Sequence, residues 1–140
     1  MKYHFKTHLR EQECWAECLE LEGCVTQGRD IEDLKLNAYD ALNLYLEEPE
    51  DSKVVFPLPK AISATRKDVF EVEVEPQIAF SFLLRQTRVA HGLTQKAMAK
   101  KLKMENLYSY QRLERRANPT LSTVKKIMNI IPDFPFQYVL

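Results

Sequence analysis

Glycine is scarce in this chain, with three residues among 140, and cysteine is equally rare. The sequence accordingly lacks a phosphate-binding glycine loop and the glycine fingerprint of a dinucleotide site. No apolar run approaches the roughly 20 residues that a membrane helix requires, and none follows a charged start as in a signal peptide. Since there is no export signal, the odd number of cysteines indicates reduced thiols. We therefore expect a cytoplasmic protein that does not enter a membrane.

Catalytic and metal-binding patterns are also missing from the sequence. His4 and His8 precede Cys14, Cys18 and Cys24, but the Cys-x3-Cys and Cys-x5-Cys spacings differ from the usual Cys-x2-Cys form of zinc sites. Metal-dependent phosphodiester cleavage needs converging carboxylates, whereas the acids here alternate along strands, stand beside Lys or Arg, or lie at helix ends. We predict no metal, no cofactor and no enzymatic activity. A small ribonuclease would require carboxylates that cluster in the folded chain.

The charge is zero overall but divides sharply along the chain. Residues 1–75 contain nine Lys and Arg against seventeen Asp and Glu, a net charge of −8. Residues 76–140 contain eleven Lys and Arg against three Asp and Glu, a net charge of +8. A basic half suits a polyanion and an acidic half suits a basic partner. We therefore place a domain boundary at Pro76 and expect domains over 1–75 and 76–140.

Alternating side chains predict a strand over residues 2–9 and a second over 13–20, joined at Glu11-Gln12. Gly23 and Gly28 bracket a short loop or third strand. Asp30 is expected to cap a helix that runs through Leu46 and is ended by Pro49. A short strand at 54–56 and an acidic-faced strand at 70–74 complete this half. The expected inward side chains are Tyr3, Phe5, Leu9, Ile31, Leu34, Ala38, Ala41, Leu42, Tyr45, Phe70, Val72 and Val74, with His4 and His8 facing outward.

The pattern from Gln77 onward is helical throughout. One helix is expected to reach His91, with Gly92 as its C-terminal cap, and Thr94 caps the next. A third runs from Asn106 to Arg115 and a fourth begins near Thr120. The expected inward side chains are Ile78, Phe82, Leu83, Val89, Ala90, Ala97, Met98, Leu102, Tyr110, Leu113, Leu121, Val124, Ile127, Met128 and Ile131.

Two segments of this half resemble Cro/repressor-type helix-turn-helix domains. The first is Gly-Leu-Thr-Gln-Lys-Ala-Met-Ala-Lys-Lys-Leu at 92–102, and the second is Gln-Arg-Leu-Glu at 111–114 followed by Asn-Pro-Thr-Leu at 118–121. The chain departs from that family at Lys103, where Gly is usual, and by one extra residue before Tyr110. With Tyr110 and Leu113 inward, the opposite helix face and the helix N-termini are the expected contacts to DNA bases and phosphates. The predicted DNA-binding residues are Gln95, Lys96, Asn106, Leu107, Tyr108, Ser109, Gln111, Arg112 and Arg115. The alternative is a basic bundle that binds protein.

The first half resembles the HicB family of antitoxins in its order of strands, glycine-containing loop 21–28 and Ala-, Tyr- and Leu-rich helix 37–46. The resemblance implies an α+β protein: a partial ribonuclease-H-like sheet with one main helix, then an all-α helix-turn-helix domain. It also implies a partner, a small basic HicA-type toxin that cuts mRNA. The predicted partner-binding residues are Trp15, Glu71, Glu73 and Glu75. Core packing is an equal alternative for Trp15, and a solvated sheet edge is an alternative for the glutamates.

We therefore predict an antitoxin that neutralises its toxin and represses its own operon by binding operator DNA. A ligand-sensing helix-turn-helix transcription factor with no toxin partner is the alternative, and it would show an apolar pocket. One helix-turn-helix reads few base pairs, so a homodimer or higher even oligomer is expected. The apolar tail 134–140 could supply that interface or fold back on the first helix of the second half.

Overall fold

A computed structural model describes residues 1–47, 54–63 and 65–140. It is a mixed α+β protein with a four-stranded antiparallel sheet and five α-helices among the described residues. These elements form two compact units. The first unit comprises Met1–Leu46 and Phe56–Glu75, and the main part of the second is Pro76–Leu140. Within the described ranges, no helix is both long enough and apolar enough to cross a membrane.

The sheet of the first unit consists of β1 (Lys2–Arg10), β2 (Glu13–Cys18), β3 (Val25–Gln27) and β4 (Val69–Glu73). Their spatial order is β3-β2-β1-β4, and every neighbouring pair is antiparallel. The predicted hairpin is confirmed, and its turn is made without glycine because Glu11 adopts a positive φ of 45°. Of the short loop or third strand expected between Gly23 and Gly28, the structure forms the strand, β3. The short strand predicted at 54–56 is wrong, since that segment has no regular structure.

The helix α1 (Ile31–Leu46) covers one face of the sheet. Asp30 caps it as predicted, accepting the Asp33 N–H at 2.8 Å. The helix buries Leu34, Ala38 and Leu42 against the inward-facing side chains of the strands. Pro49, which was expected to end this helix, lies outside the described residues.

Two asparagines of α1 reach the two edge strands of the sheet. Asn37 Nδ2 donates to the carbonyl of Gln27 on β3 at 2.8 Å. At the other edge, Asn43 Oδ1 accepts the Glu75 N–H at 2.8 Å and its Nδ2 contacts the Glu73 carbonyl at 3.5 Å. The helix therefore satisfies backbone groups that would otherwise face outward from both edges.

Several inward positions of this unit were predicted wrongly. Leu9 is 61% exposed, because it lies near the hairpin end of β1, and Ile31 is exposed at the first turn of α1. His4, expected on the solvent side, is buried because it pairs with the buried carboxylate of Glu20. Tyr45 is half-buried, and its hydroxyl donates to the Glu22 carbonyl.

The second unit contains α2 (Pro76–Ala90), α3 (Gln95–Lys101), α4 (Leu107–Gln111) and α5 (Leu121–Ile130). Short 3-10 segments follow at Arg112–Glu114 and Phe136–Tyr138. Pro76 opens α2, where its missing N–H costs nothing and its fixed φ suits a helix. Gly92 lies just beyond the end of α2 at a φ of +66°, and Thr94 caps α3 as predicted.

The core of this unit mixes apolar side chains with buried charge. Val89, Ala90, Leu121 and Met128 were predicted inward and are exposed instead. On α2, buried arginines take up part of the expected apolar face. The fully or almost fully buried members of this core include Ile78, Phe80, Phe82, Leu83, Arg85, Arg88, Met98, Tyr110, Glu114, Val124, Ile127 and Ile131.

The C-terminal tail folds back on α2, one of the two arrangements expected for it. The Phe134 ring meets the Phe80 ring edge-on at a centroid distance of 5.7 Å. Phe134 and Val139 are buried, whereas Tyr138 and Leu140 remain exposed.

Candidate functional site

A tight connection joins α3 to α4 in the second unit. Leu102 ends α3, and Lys103 follows at a φ of +54°, in the left-handed region that glycine tolerates best. The Asn106 Oδ1 then caps α4 by accepting the backbone N–H of Ser109 at 2.8 Å and the Ser109 hydroxyl at 3.0 Å. The turn at Lys103 thus has the backbone conformation for which a glycine is usual, and Asn106 acts in the structure as a cap.

A buried polar cluster ties α2, α3 and α4 together around one carboxylate. Glu114, 2% exposed, accepts hydrogen bonds from the Arg88 guanidinium, from the Tyr110 hydroxyl at 2.6 Å and from Gln95 Nε2 at 3.0 Å. Arg88 also donates to the Leu93 carbonyl at 2.8 Å. Every acceptor position on this carboxylate therefore faces a donor, as a buried charge requires.

This cluster shifts the pKa values of its members. Burial lowers the pKa of Arg88, but the hydrogen bond and charge of Glu114 outweigh it and leave the pKa above its ordinary value. Burial raises the pKa of Tyr110, and the adjacent Glu114 carboxylate raises it further. Arg88 is thus charged, and the tyrosine remains a neutral donor at neutral pH.

Gln95 and Gln111, both predicted DNA-binding residues, are brought together at this cluster. Gln111 Nε2 donates to Gln95 Oε1 at 3.2 Å, while Gln95 itself donates to Glu114. Both glutamines are half-buried, so each side chain is partly accessible. The amide of Gln95 is therefore fixed in one orientation at the start of α3.

Most of the remaining predicted DNA-binding residues are exposed. Tyr108 is 58% exposed, and the Arg112 guanidinium lies 6.0 Å from its ring centroid. Lys96, Leu107 and Arg115 are exposed, and Ser109 is half-buried.

A cleft of about 580 Å³ opens beside α4 and includes Arg116 and Asn118, which sequence reasoning did not select. Arg116 has a φ of +41° and pairs with Glu47 at 3.7 Å. The signal that could have identified it was the adjacent pair of arginines at 115 and 116. The other residues that line this cleft are Tyr108, Ser109, Arg112, Leu113, Arg115 and Ala117.

The predicted helix Asn106–Arg115 is shorter than expected. The α-helix ends at Gln111, and a 3-10 turn continues to Glu114. Leu113 is half-buried, and Glu114 takes the fully buried position because it neutralises Arg88. Spacing alone marked the leucine as inward and gave no sign of the ion pair.

In the first unit, the sheet face opposite α1 holds three of the four predicted partner-binding residues. The strand register places Trp15 opposite His8, Glu71 opposite His4 and Glu73 opposite Lys2. We call this surface, with its neighbours Lys6, Arg10, Glu13 and Glu17, the open face.

Trp15 is half-buried on the open face and stacks on His8 at a centroid distance of 4.0 Å. Glu71 pairs with Lys2 at 3.5 Å. Glu75 lies beyond the end of β4 and is half-buried. The glutamates therefore alternate with lysines from β1, so the open face is mixed in charge.

A second polar cluster, missed by sequence reasoning, links His4 of β1 to the buried Glu20 and to residues 57–60. The buried Glu20 carboxylate accepts the His4 backbone N–H at 2.9 Å, contacts His4 Nδ1 at 2.9 Å and accepts the Lys60 N–H at 3.2 Å. The Tyr3 hydroxyl donates to the Pro57 carbonyl at 2.7 Å. Together these bonds attach residues 57–60 to the sheet. Burial raises the pKa of Tyr3, with smaller contributions from nearby thiol and carboxyl groups.

All three cysteines are free thiols. Cys18 and Cys24 are buried and hydrogen-bonded to each other, which lowers the pKa of Cys18 and raises that of Cys24. Cys14 is half-buried. Over the described ranges, no three His, Cys, Asp or Glu side chains are grouped to hold a metal ion.

Comparison of the chain with protein-family models and with curated protein sequences gives no match in either case.

Proposed function

We propose that this chain is a HicB-type antitoxin that binds DNA as a helix-turn-helix repressor and neutralises a small basic HicA-type toxin. In this proposal, α3 and α4 form the two central helices of the helix-turn-helix, with α4 as the recognition helix. The first unit, a partial ribonuclease-H-like domain, carries the toxin-binding surface.

The observation that carries the proposal is the tethered pair Gln95 and Gln111 at the ends of two short helices. A glutamine amide reads adenine through paired donor and acceptor atoms, and this discriminates best when the amide cannot rotate. Glu114 holds the Gln95 amide in one orientation, and the buried Arg88 holds Glu114.

The cationic surroundings support the same conclusion. Lys96 and Arg112 are exposed and adjoin the two glutamines in the sequence, Arg115 is exposed as well, and residues 76–140 have a net charge of +8. Phosphate contacts of this kind position a protein on DNA, and base contacts then specify the sequence. Because one recognition helix covers few base pairs, the DNA-bound form is a homodimer or higher even oligomer.

The DNA-binding half is tested by selecting bound fragments from genomic DNA with the full-length chain. The proposal expects enrichment of one short, two-fold repeated sequence next to the chain's own gene. It also expects that the affinity falls steeply with salt as counterions are released. Recovery of unrelated fragments with no common sequence would contradict it.

The toxin-binding half is tested by co-expression with the small basic protein encoded next to this chain. A stable complex in size-exclusion chromatography, together with loss of that protein's RNA cleavage, is the expected result. The complex should weaken in high salt, but less than the DNA complex, because buried contacts are poorly screened.

One observation favours the second candidate, a ligand-sensing transcription factor. A cleft of about 560 Å³ in the first unit is lined by apolar and charged side chains. The apolar ones are Leu9, Ile31, Val69 and Phe70, and the charged ones are Lys35, Lys67 and Asp68. Pockets of this size hold small molecules. Release of DNA by an anionic amphiphile such as dodecanoate, in the absence of any protein partner, would favour the sensor over the antitoxin.

A further inference from the structure

Cys18 and Cys24 face each other across the end of the ladder between β2 and β3. Glu17 lies opposite Val25 in that ladder, and the next step of the same register places Cys18 opposite Cys24. The Cys18 N–H donates to the Cys24 carbonyl at 2.8 Å. Residues in such a hydrogen-bonded position have Cα atoms about 5.5 Å apart, with both side chains on one side of the sheet. Since disulfides span roughly 4.4–6.8 Å between Cα atoms, the backbone holds this pair within bonding reach.

The third cysteine, Cys14, lies on the same face of β2 but is opposite a glycine. Its carbonyl accepts the Gly28 N–H at 2.9 Å. Four residues of extended strand separate it from Cys18, a distance of roughly 13 Å that no disulfide spans. Cys14 is half-buried, whereas the other two cysteines are buried. It is therefore the more accessible thiol, but it has no thiol placed to pair with it.

The two facing thiols differ in acidity. The hydrogen bond from the Cys24 thiol lowers the pKa of Cys18 below its ordinary value, although burial opposes the shift. Backbone N–H groups of Glu20 and Leu21 lower it further. The same bond between the thiols raises the pKa of Cys24, and burial raises it again. Cys18 therefore becomes a thiolate more readily, and the thiolate is the form that reacts.

We propose that Cys18 and Cys24 form a reversible disulfide when the protein meets hydrogen peroxide. The two side chains are almost covered, at 7% and 3% exposure, so a small oxidant is required. The Cys18 thiolate attacks one peroxide oxygen and the O–O bond breaks, which leaves a sulfenic acid on Cys18 and releases hydroxide that leaves as water with the former Cys18 proton. Cys24 then attacks the Cys18 sulfur. The S–S bond forms, the S–O bond breaks, and a second water leaves with the Cys24 proton. Peroxide gains the two electrons that the thiols lose.

The disulfide closes the loop 19–23, which contains the buried Glu20. The Glu20 carboxylate lies 3.9 Å from the Cys18 Sγ and also contacts His4 Nδ1 and the Lys60 N–H. Oxidation removes the S–H that Cys18 directs at this carboxylate. The modification site therefore adjoins the cluster that attaches residues 57–60 to the sheet.

The test treats the reduced full-length chain with hydrogen peroxide and follows its mass over time. We expect a mass lower by two hydrogen atoms, which dithiothreitol restores by thiol exchange. All three cysteines lie in one tryptic peptide, 11–29, so a second protease that cleaves after glutamate is needed to separate them. The fragments that contain the cysteines are then 14–17, 18–20 and 23–29. The expected disulfide joins the second fragment to the third.

Substitutions assign the role of each thiol. Cys14→Ser should form the disulfide as fast as the wild-type chain does. Cys24→Ala should stop at the sulfenic acid, which dimedone traps on Cys18. Circular dichroism verifies that both variants are folded, and the fragment map of the wild-type chain needs no substitution in the core.

Two results would overturn the proposal. The first is oxidation of Cys14 alone, with Cys18 and Cys24 still alkylated by iodoacetamide once the chain is unfolded, because exposure and not strand register would then govern reactivity. The second is conversion of Cys18 to a sulfinic acid in the wild-type chain without a bond to Cys24, because the two sulfurs would then be too far apart to join.

Discussion

Gln95 and Gln111 are sixteen residues apart in the sequence, yet Gln111 Nε2 donates a hydrogen bond to Gln95 Oε1 at 3.2 Å. This bond joins the first residue of α3 to the last residue of α4. Because Glu114 fixes the same Gln95 amide, the relative position of the two helices and the orientation of the amide depend on each other.

Substitution of the predicted base-contacting residues should weaken DNA binding without affecting the protein partner. We expect Gln95→Ala and Arg112→Ala each to cost ~1–3 kcal/mol of operator binding. Footprinting and gel-shift titration measure the effect. Lys67→Ala, which removes an exposed cation from the first unit, is the control and should bind as wild type. Normal footprints for both variants would show that α4 is oriented differently on DNA.

Glu114→Gln should strongly destabilise the second unit, since it leaves the Arg88 charge buried without a counter-ion. Breaking such a pair by removing one partner costs ~3–5 kcal/mol. Urea unfolding measures the loss, and Glu105→Gln, at an exposed position, is the matched control. Adding Arg88→Met should recover part of the stability, because no charge then remains buried. A loss below about 1 kcal/mol, typical of a surface pair, would contradict the buried ion pair.

Lys103→Gly should stabilise the protein. A residue with a Cβ in the left-handed region costs ~1–2 kcal/mol relative to glycine, and Lys103 has a φ of +54°. The matched control is Lys101→Gly, two residues earlier in α3, which should destabilise by ~1 kcal/mol because glycine weakens a helix. A higher thermal unfolding midpoint for Lys103→Gly and a lower one for Lys101→Gly would support the left-handed turn at Lys103. Destabilisation by both substitutions would refute it.

Stability should fall in alkaline solution as two buried tyrosines titrate on unfolding. The pKa values of Tyr3 and Tyr110 are raised in the folded protein, so each keeps its proton while the unfolded chain loses it above a pH of about 10. The unfolded state then binds fewer protons, and the free energy of unfolding decreases with pH. Below a pH of about 10, both tyrosines keep their protons in the folded and the unfolded chain, and their burial does not make stability depend on pH. Tyr3→Phe should reduce the slope of the free energy of unfolding against pH, which urea unfolding at a series of pH values around 10 measures.

The sequence predicted helix starts and strand faces correctly where a single residue or a simple alternation determines them. Asp30 and Thr94 cap helices, and the alternation of Tyr3 and Phe5 defines the buried side of β1. Periodicity failed where a long-range polar partner decided burial. His4 is buried because it pairs with Glu20. Glu114 is more deeply buried than Leu113 because it pairs with Arg88. The spacing of residues in the sequence identifies neither of these pairs.

The candidate site shows the same division. The exposed positions of Tyr108 and Arg112 agree with the helical face that was predicted. The link between Gln95 and Gln111 depends on the shortened α4 and on the turn at Lys103, which are set by tertiary packing.

The asparagines Asn37 and Asn43 make one helix responsible for both margins of the sheet. Unpaired strand margins are templates for amyloid growth and strand exchange, and other proteins protect them with prolines, bulges or barrel closure. Here the protection is lost at both margins together whenever α1 unwinds. Fraying of this single helix would therefore free backbone groups at both margins at once, and each would then be open to pairing with a strand of another chain.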